Sequence, residues 1–207
     1  MAKQMSATTK DVLKCVLVLV AIALVAGILL GVVNKFTYVD VNAVMLTSLS
    51  EKFDVAQSSV KSDNSYIYNK SEDSYVERCY VVYKEVDGTA TDEIEALVYL
   101  VVGSGAYSGS VEMLYTVKDG KIADIEVYSH SETSGIGTKV LKQENLNKYK
   151  GIELSSITNY NIAGGADAKG DAVYVSGATR TTRGVLNSLR ALAYSYNTYV
   201  AREAAGE

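Results

Sequence analysis

Apolar and polar positions alternate in three different rhythms along this chain, and each rhythm predicts a different element. From Cys15 to Val33 there is no polar residue at all. A run of about 19 apolar residues is long enough to cross the hydrocarbon core of a bilayer as a helix. From Asp40 to about Lys61 the apolar residues Val44, Met45, Leu49, Phe53 and Val55 are spaced among polar ones, which predicts a helix. Ser62 to Asp73 is polar and reads as loop. The rhythm then shortens. Tyr75 to Val86, Ile94 to Val102, Val111 to Val117 and Ile122 to Tyr128 are rich in Val, Ile and Tyr and read as strands. Asp119-Gly120 between the last two is a two-residue hairpin signal. A turn and a helix to about Tyr149 follow, then loop-rich sequence from 151 to 171 with Gly164-Gly165 and Gly170. Ala172 to Val175 reads as a short strand. Finally Val185, Leu186, Leu189, Leu192, Ala193, Tyr196, Tyr199 and Val200 recur at helical spacing, predicting an amphipathic helix from Thr181 to about Arg202 that packs on a sheet. The pattern predicts an α+β chain: one N-terminal transmembrane helix, then a domain with a twisted antiparallel sheet and packed helices. The expected organisation is an N-terminal segment (1–14), a membrane helix (15–33), a helical connector (34–74) and a domain (75–207).

Charge orients the membrane helix. Residues 1–14 hold Lys3, Lys10 and Lys14 against Asp11, so the N-terminus is expected in the cytoplasm and the domain outside, anchored by a single pass in the cell membrane. The alternative is a cleaved signal peptide, for which Val41-Asn42-Ala43 has small residues but stands far beyond the apolar run. A lipoprotein reading of Cys15 fails, because the apolar run follows that cysteine. Gly27 and Gly31 are spaced to let helices pack closely, a spacing also expected by chance. Without the four charged residues of 1–14, the remainder carries 17 basic and 23 acidic residues, about −6, which argues against nucleic acid as a partner.

Composition excludes further classes. The two cysteines, Cys15 and Cys79, lie in different predicted elements with no metal-ligand neighbour, so neither a disulfide nor a metal site is expected. The single histidine, His130, makes a catalytic triad improbable, and Ser176 lacks a G-x-S-x-G setting. Gly103 to Gly109 is a glycine loop without the Lys-Ser/Thr ending of a phosphate-binding Walker loop. The chain has no proline, no tryptophan and 16 tyrosines, and the tyrosine count by itself assigns no role.

The stretch with chemical potential is Ser176-Gly177-Ala178-Thr179-Arg180-Thr181-Thr182-Arg183-Gly184, a turn that opens the last helix. A helix start presents unpaired N–H groups and the positive end of the dipole, which suits an anion such as phosphate. Gly177 and Ala178 allow close approach, Thr179, Thr181 and Thr182 offer hydroxyls, and Arg180 and Arg183 offer positive charge. The plainer reading is an N-cap, for which Ser and Thr are ordinary choices. Local pattern leaves both open. His130-Ser131-Glu132-Thr133-Ser134-Gly135-Ile136-Gly137 reads by composition as a solvated polar turn.

Two strings in this sequence resemble the FMN-binding domain family. SGATRTTRGV is similar to its flavinylation motif, S/T-G-A-T/S, in which a flavin transferase joins the FMN phosphate to the last hydroxyl as a phosphoester. The resemblance implies that Thr179 carries FMN covalently, with Ser176, Gly177, Ala178, Arg180, Thr181 and Thr182 around the phosphate. His130 to Gly137 is similar to the family's H-x-E-T-P-G-L-G segment, which lies beside the flavin. That implies His130, Glu132 and Thr133 near the ring or ribityl chain, and Gly135 and Gly137 for close approach. Two departures stand out. Ser134 replaces the family's proline, and the acidic residue expected shortly before SGAT is Val173 here, with Asp171 two residues earlier. The resemblance covers the membrane span and the domain from about Gly105. It implies an electron-transfer subunit like the flavin subunits of Rnf-type complexes, which relay electrons between ferredoxin and NAD and translocate ions. Its partners would be integral membrane and iron-sulfur subunits, with a flavin transferase for maturation. The flavin subunit of a sodium-translocating NADH:quinone reductase and a free-standing extracytoplasmic flavodomain are alternatives. A membrane-anchored module without redox chemistry is the reading from a different class.

Overall fold

The computed structural model describes residues 7–159 and 175–206, and two units divide the chain, Met1–Val44 and Met45–Glu207. In the first unit, α1 (Ala7–Thr37) is a 31-residue helix. At 1.5 Å per residue it is about 46 Å long, more than a bilayer core requires. It is long and apolar enough to cross a membrane, and every described side chain along it is exposed, as a lipid-facing helix demands. The Asp40 carboxylate accepts from the N–H groups of Asn42 and Ala43 at 2.9 and 3.2 Å, an N-cap that opens α2 (Val41–Phe53).

The second unit is built on a five-stranded sheet in the order β1-β2-β3-β4-β5. The strands are β1 (Val60–Ser62), β2 (Tyr75–Val86), β3 (Thr89–Ala106), β4 (Gly109–Lys118) and β5 (Lys121–His130), each antiparallel to its neighbour. The four long strands fall where the sequence predicts them. Both Asp87-Gly88 and Asp119-Gly120 adopt left-handed φ values, 53 and 74° and 50 and 72°. Positive φ at both central positions is the hairpin turn whose twist matches its strands.

Side chains alternate between two buried faces. Cys79 and Val81 point to one face, Tyr80 and Val82 to the other. This is why β3 reads as a continuous apolar run: a central strand covered on both sides has no polar face. One face, with Tyr99, Val101, Met113 and Tyr115, is covered by α4 (Thr179–Ala205) through Val185, Leu186, Leu189, Leu192 and Ala193. The other, with Val98, Leu100 and Leu114, is covered by Met45 and Leu49 of α2.

Three expectations need correction. The helix predicted over Asp40 to Lys61 ends at Phe53. Asp54 turns left-handed, φ 54°, the Val55 N–H closes onto Ser50 O at 3.0 Å, and Val60 to Ser62 pair with β2 as a strand. The helix predicted through Tyr149 is broken into short turns, of which only α3 (Gln143–Leu146) is α-helical, because Lys142 is extended with ψ 139°. Most of the glycine loop is strand: Gly103 to Ala106 belong to β3, and only Tyr107 and Ser108 form the turn. The strand predicted at Ala172 to Val175 lies outside the described residues except for Val175, as do Gly164, Gly165, Gly170, Asp171 and Val173.

Gly103 and Gly184 fix how α4 lies on the sheet. A Cβ at Gly103 would fall 2.0 Å from Gly184 O, and one at Gly184 would fall 2.9 Å from the Ala106 Cβ. Helix and strand backbones therefore touch at this crossing, as they can only without side chains. Two polar contacts bind α4 to the sheet there. Tyr115 OH and Ser188 Oγ are 2.7 Å apart, and Asn187 Nδ2 donates to Ser104 O at 2.9 Å.

Candidate functional site

The first turn of α4 sits at the end of that crossing. Its N-cap position is Ala178, and no side chain caps the helix. The plain N-cap reading of the Ser and Thr residues therefore does not apply. Thr182 Oγ1 turns back to Ala178 O at 3.1 Å, and Thr181 Oγ1 donates to Glu132 Oε2; both residues are buried. Thr179 is exposed. Of the three threonines in the stretch, only Thr179 presents a free-standing side chain at the helix start. Gly177 precedes it at φ 83°, with no described residue within 4 Å of where a Cβ would be. Only glycine takes that conformation without strain.

A cleft of about 450 Å³ opens beside this turn, within the range of about 300–1,000 Å³ typical of small-molecule sites. Three segments wall it: Tyr107 from the β3–β4 turn, Glu132, Thr133, Ile136 and Gly137 from the segment after β5, and Gly177 to Thr181 from the start of α4. The two strings singled out in the sequence thus meet in space across 49 residues of chain. Tyr107 and Ile136 are 66% and 53% exposed, an aromatic ring and an aliphatic side chain at the mouth of a cleft whose floor is a helix N-terminus. Such a cleft pairs an apolar lip with an anion-binding floor.

Glu132 links the walls. It is 7% exposed. Oε1 accepts from the Ser108 N–H at 2.9 Å and Oε2 from the Thr181 hydroxyl. Gly137 packs against this pair: a Cβ there would lie 2.5 Å from Glu132 Oε2 and 2.8 Å from Thr181 Oγ1. Thr133 O accepts from the N–H groups of Ile136 and Thr138 at 3.3 and 3.4 Å, which folds the segment into a tight turn without the family's proline.

Of the residues expected at the site, Thr179, Gly177, Ala178, Arg180, Thr181, Glu132, Thr133 and Gly137 line the cleft. Ser176, Thr182, His130 and Gly135 do not. Ser176 is exposed beside the turn, and Thr182 supports the helix from inside. His130 Nδ1 accepts from the Glu132 N–H at 3.1 Å, so it shapes the segment. Gly135, at φ 76°, donates its N–H to Thr138 Oγ1 at 2.9 Å. Arg183 lies over Gly105, where a Cβ would come 3.2 Å from its Cδ, and is not in the cleft wall. Tyr107 and Ile136 are the additions. Tyr107 was legible only as part of a glycine-rich connection, and its placement depends on how β3 and β4 end.

Known proteins resemble this chain over the same region. Residues 106–193 match the model of the family described as FMN-binding domain. The G subunit of the ion-translocating oxidoreductase complex of Buchnera aphidicola subsp. Baizongia pistaciae (strain Bp) is 29% identical over 102 residues, 47% of this chain and 47% of that one. The chain thus matches about half the length of this curated relative. The crystal structure of Shewanella oneidensis NqrC shares 25% sequence identity, over 60% of this chain and 61% of that one, with a TM-score of 0.44. The matched segment runs from the last residue of β3 to the middle of α4 and contains every residue that lines the cleft. Over residues 106–193 the chain is thus similar to the FMN-binding domain.

Proposed function

We propose that this chain is a membrane-anchored electron carrier that holds FMN through a phosphoester to Thr179 and serves as the flavin subunit of an Rnf-type ion-translocating complex. The observation that carries the covalent assignment is the uncapped helix start with Thr179 exposed upon it while Thr181 and Thr182 are engaged. When bound, FMN supplies the redox chemistry. The chain's own residues hold and place it. The first N–H groups of α4 and the Arg180 side chain, which lines the cleft, would hold the phosphate, whose diester carries about one negative charge. Gly177 lets the phosphate approach the backbone. Tyr107, Ile136 and Thr133 offer the ring a surface on one side of the cleft. The anchoring helix α1 would keep the domain beside integral partners, and the lysines of the N-terminal segment support a cytoplasmic N-terminus with the domain outside. The relative from Buchnera aphidicola is named as a subunit of an ion-translocating oxidoreductase complex, which supports membership of a multi-subunit assembly; the phosphoester to Thr179 would be made by a flavin transferase.

The test is intact mass and in-gel flavin fluorescence of the full chain and of Thr179→Ala, each co-expressed in membranes with a flavin transferase. Wild type gains the mass of one FMN less one water, and the variant gains none. An adduct persisting in the variant moves the acceptor to Ser176, the other exposed hydroxyl of the turn. Absence of any adduct on wild type, with a known substrate modified in parallel, returns the chain to a non-redox membrane-anchored module.

A further inference from the structure

Each wall of the cleft belongs to a different part of the chain, and one carboxylate touches all three. Glu132 sits in the segment after β5, its Oε1 accepts from the Ser108 N–H at the β3–β4 turn at 2.9 Å, and its Oε2 accepts from Thr181 in the first turn of α4. Both partners are neutral donors, and no lysine or arginine is paired with Glu132 among the described residues. The Thr181 hydroxyl belongs to the first turn of α4, so the carboxylate lies at the positive end of that helix. The same helix start is the one to which the phosphate is assigned. The positions of Tyr107, Ile136 and Thr179 relative to one another thus depend on one side chain that none of them contains.

We propose that Glu132 is the positioning residue of the flavin cleft: its carboxylate fixes the acceptor turn against the other two walls and sets a negative charge beside the bound flavin. This rests on the functional reading above for the flavin, though not for the tie itself. A fixed negative charge disfavours adding an electron nearby, so Glu132 holds the flavin potential lower than a neutral residue would. Gly137 is the second half of the device. It leaves the carboxylate room to reach Thr181, and any larger residue would displace it.

The experiment compares wild type with Glu132→Ala, Glu132→Gln, Thr181→Val and Gly137→Ala as full chains in membranes. Unmodified protein, made without the transferase, is read by amide hydrogen exchange at Ser108 and the first turn of α4. Glu132→Ala speeds exchange at both places at once, while Thr181→Val speeds it chiefly at the helix. Loading by the transferase falls about tenfold or more in Glu132→Ala, Thr181→Val and Gly137→Ala, the loss of one charge-assisted hydrogen bond. Glu132→Gln recovers part of that loading, because its amide oxygen still accepts from Ser108 and its NH2 group can reach Thr181. Its loaded form has a higher midpoint potential than wild type, a shift that a purely structural role would not produce. The proposal is overturned if Glu132→Ala leaves exchange at Ser108 and α4 unchanged, or if Glu132→Gln loads without any change of potential. If wild type itself takes no flavin, the functional reading fails, and the exchange measurement alone still decides whether the tie exists.

Discussion

The two faces of the sheet are covered by helices that do different work. Under α4 the contact is close and mixed: glycines let backbones meet at Gly103 and Gly184, and buried hydroxyls of Thr181, Thr182, Ser188 and Ser195 sit among leucines. Under α2 the contact is made by ordinary large side chains, Met45 and Leu49 on Tyr80, Val82 and Leu100. That helix is then tied down by charge. Lys52 Nζ reaches Asp124 at 2.7 Å and Glu126 at 2.9 Å, and Lys150 reaches Asp124 at 2.8 Å. The α4 face specifies a position, because interdigitated backbones tolerate few alternatives. The α2 face supplies buried area, which accepts several arrangements. Only the first face ends in the cleft. Perturbing α4 is therefore expected to cost flavin loading along with stability, and perturbing α2 stability alone.

The sharpest test is Gly103→Val. Its side chain has nowhere to go, and unfolding by urea, followed by tyrosine fluorescence, should show a loss of about 3 kcal/mol or more, with no adduct formed. Wild-type stability here would mean that α4 does not rest on β3 at this crossing. Next comes a matched pair, Leu189→Ala on the α4 face and Leu49→Ala on the α2 face. Each removes a buried leucine and should cost about 3 kcal/mol. The comparison is broken if both lose flavin per folded molecule equally; it holds if only Leu189→Ala does. Tyr115→Phe takes one partner from Ser188 and should cost about 1 kcal/mol. The smallest effect concerns Asp124. Partial burial raises its proton affinity, but hydrogen bonds from Lys150 and Lys52 outweigh this and hold its carboxyl at about 2. A depressed folded pKa stabilises above the unfolded value, about 3.9, and that stabilisation is lost as pH falls from about 4 towards 2. Because the group is partly solvated, Asp124→Asn should cost only about 1 kcal/mol at pH 7. Its unfolding curve should merge with that of wild type near pH 2.

Local pattern was enough for the four long strands and the last helix, since period-2 and helical spacing are properties of contiguous residues; the short β1 it read as helix. It placed β2 within its observed bounds and marked Asp119-Gly120. It passed over Asp87-Gly88, an equal signal, because the apolar run of β3 starts only at Ile94. What it could not reach were features set by distant partners. Gly103 to Gly109 reads as a loop because nothing near it reveals that Gly184 will press on Gly103 from 81 residues away. The end of α2 at Phe53 depends on a left-handed Asp54 and on Glu85 accepting from the Ala56 N–H at 2.7 Å. At the site, resemblance named both strings, and the fold brought them together. The division of labour among Thr179, Thr181 and Thr182 came only from burial and hydrogen bonding. Tyr107 and Ile136 were invisible as site residues for the same reason as Gly103: their neighbours in the cleft are elsewhere in the chain.

The meander order of the sheet also bears on how the turn at Thr179 comes into being. Each strand pairs with the next in sequence and the last three connections are two-residue turns, so β2 to β5 can form early, from local closures of low entropic cost. The α4 crossing is different in kind, because it joins Gly103 to Gly184 and Glu132 to Thr181 over long stretches of chain. On the ribosome, too, α4 emerges after every strand. The turn proposed to carry the flavin is therefore assembled last, after the sheet that supports it, and a transferase that recognised this turn would mark only molecules that have finished folding.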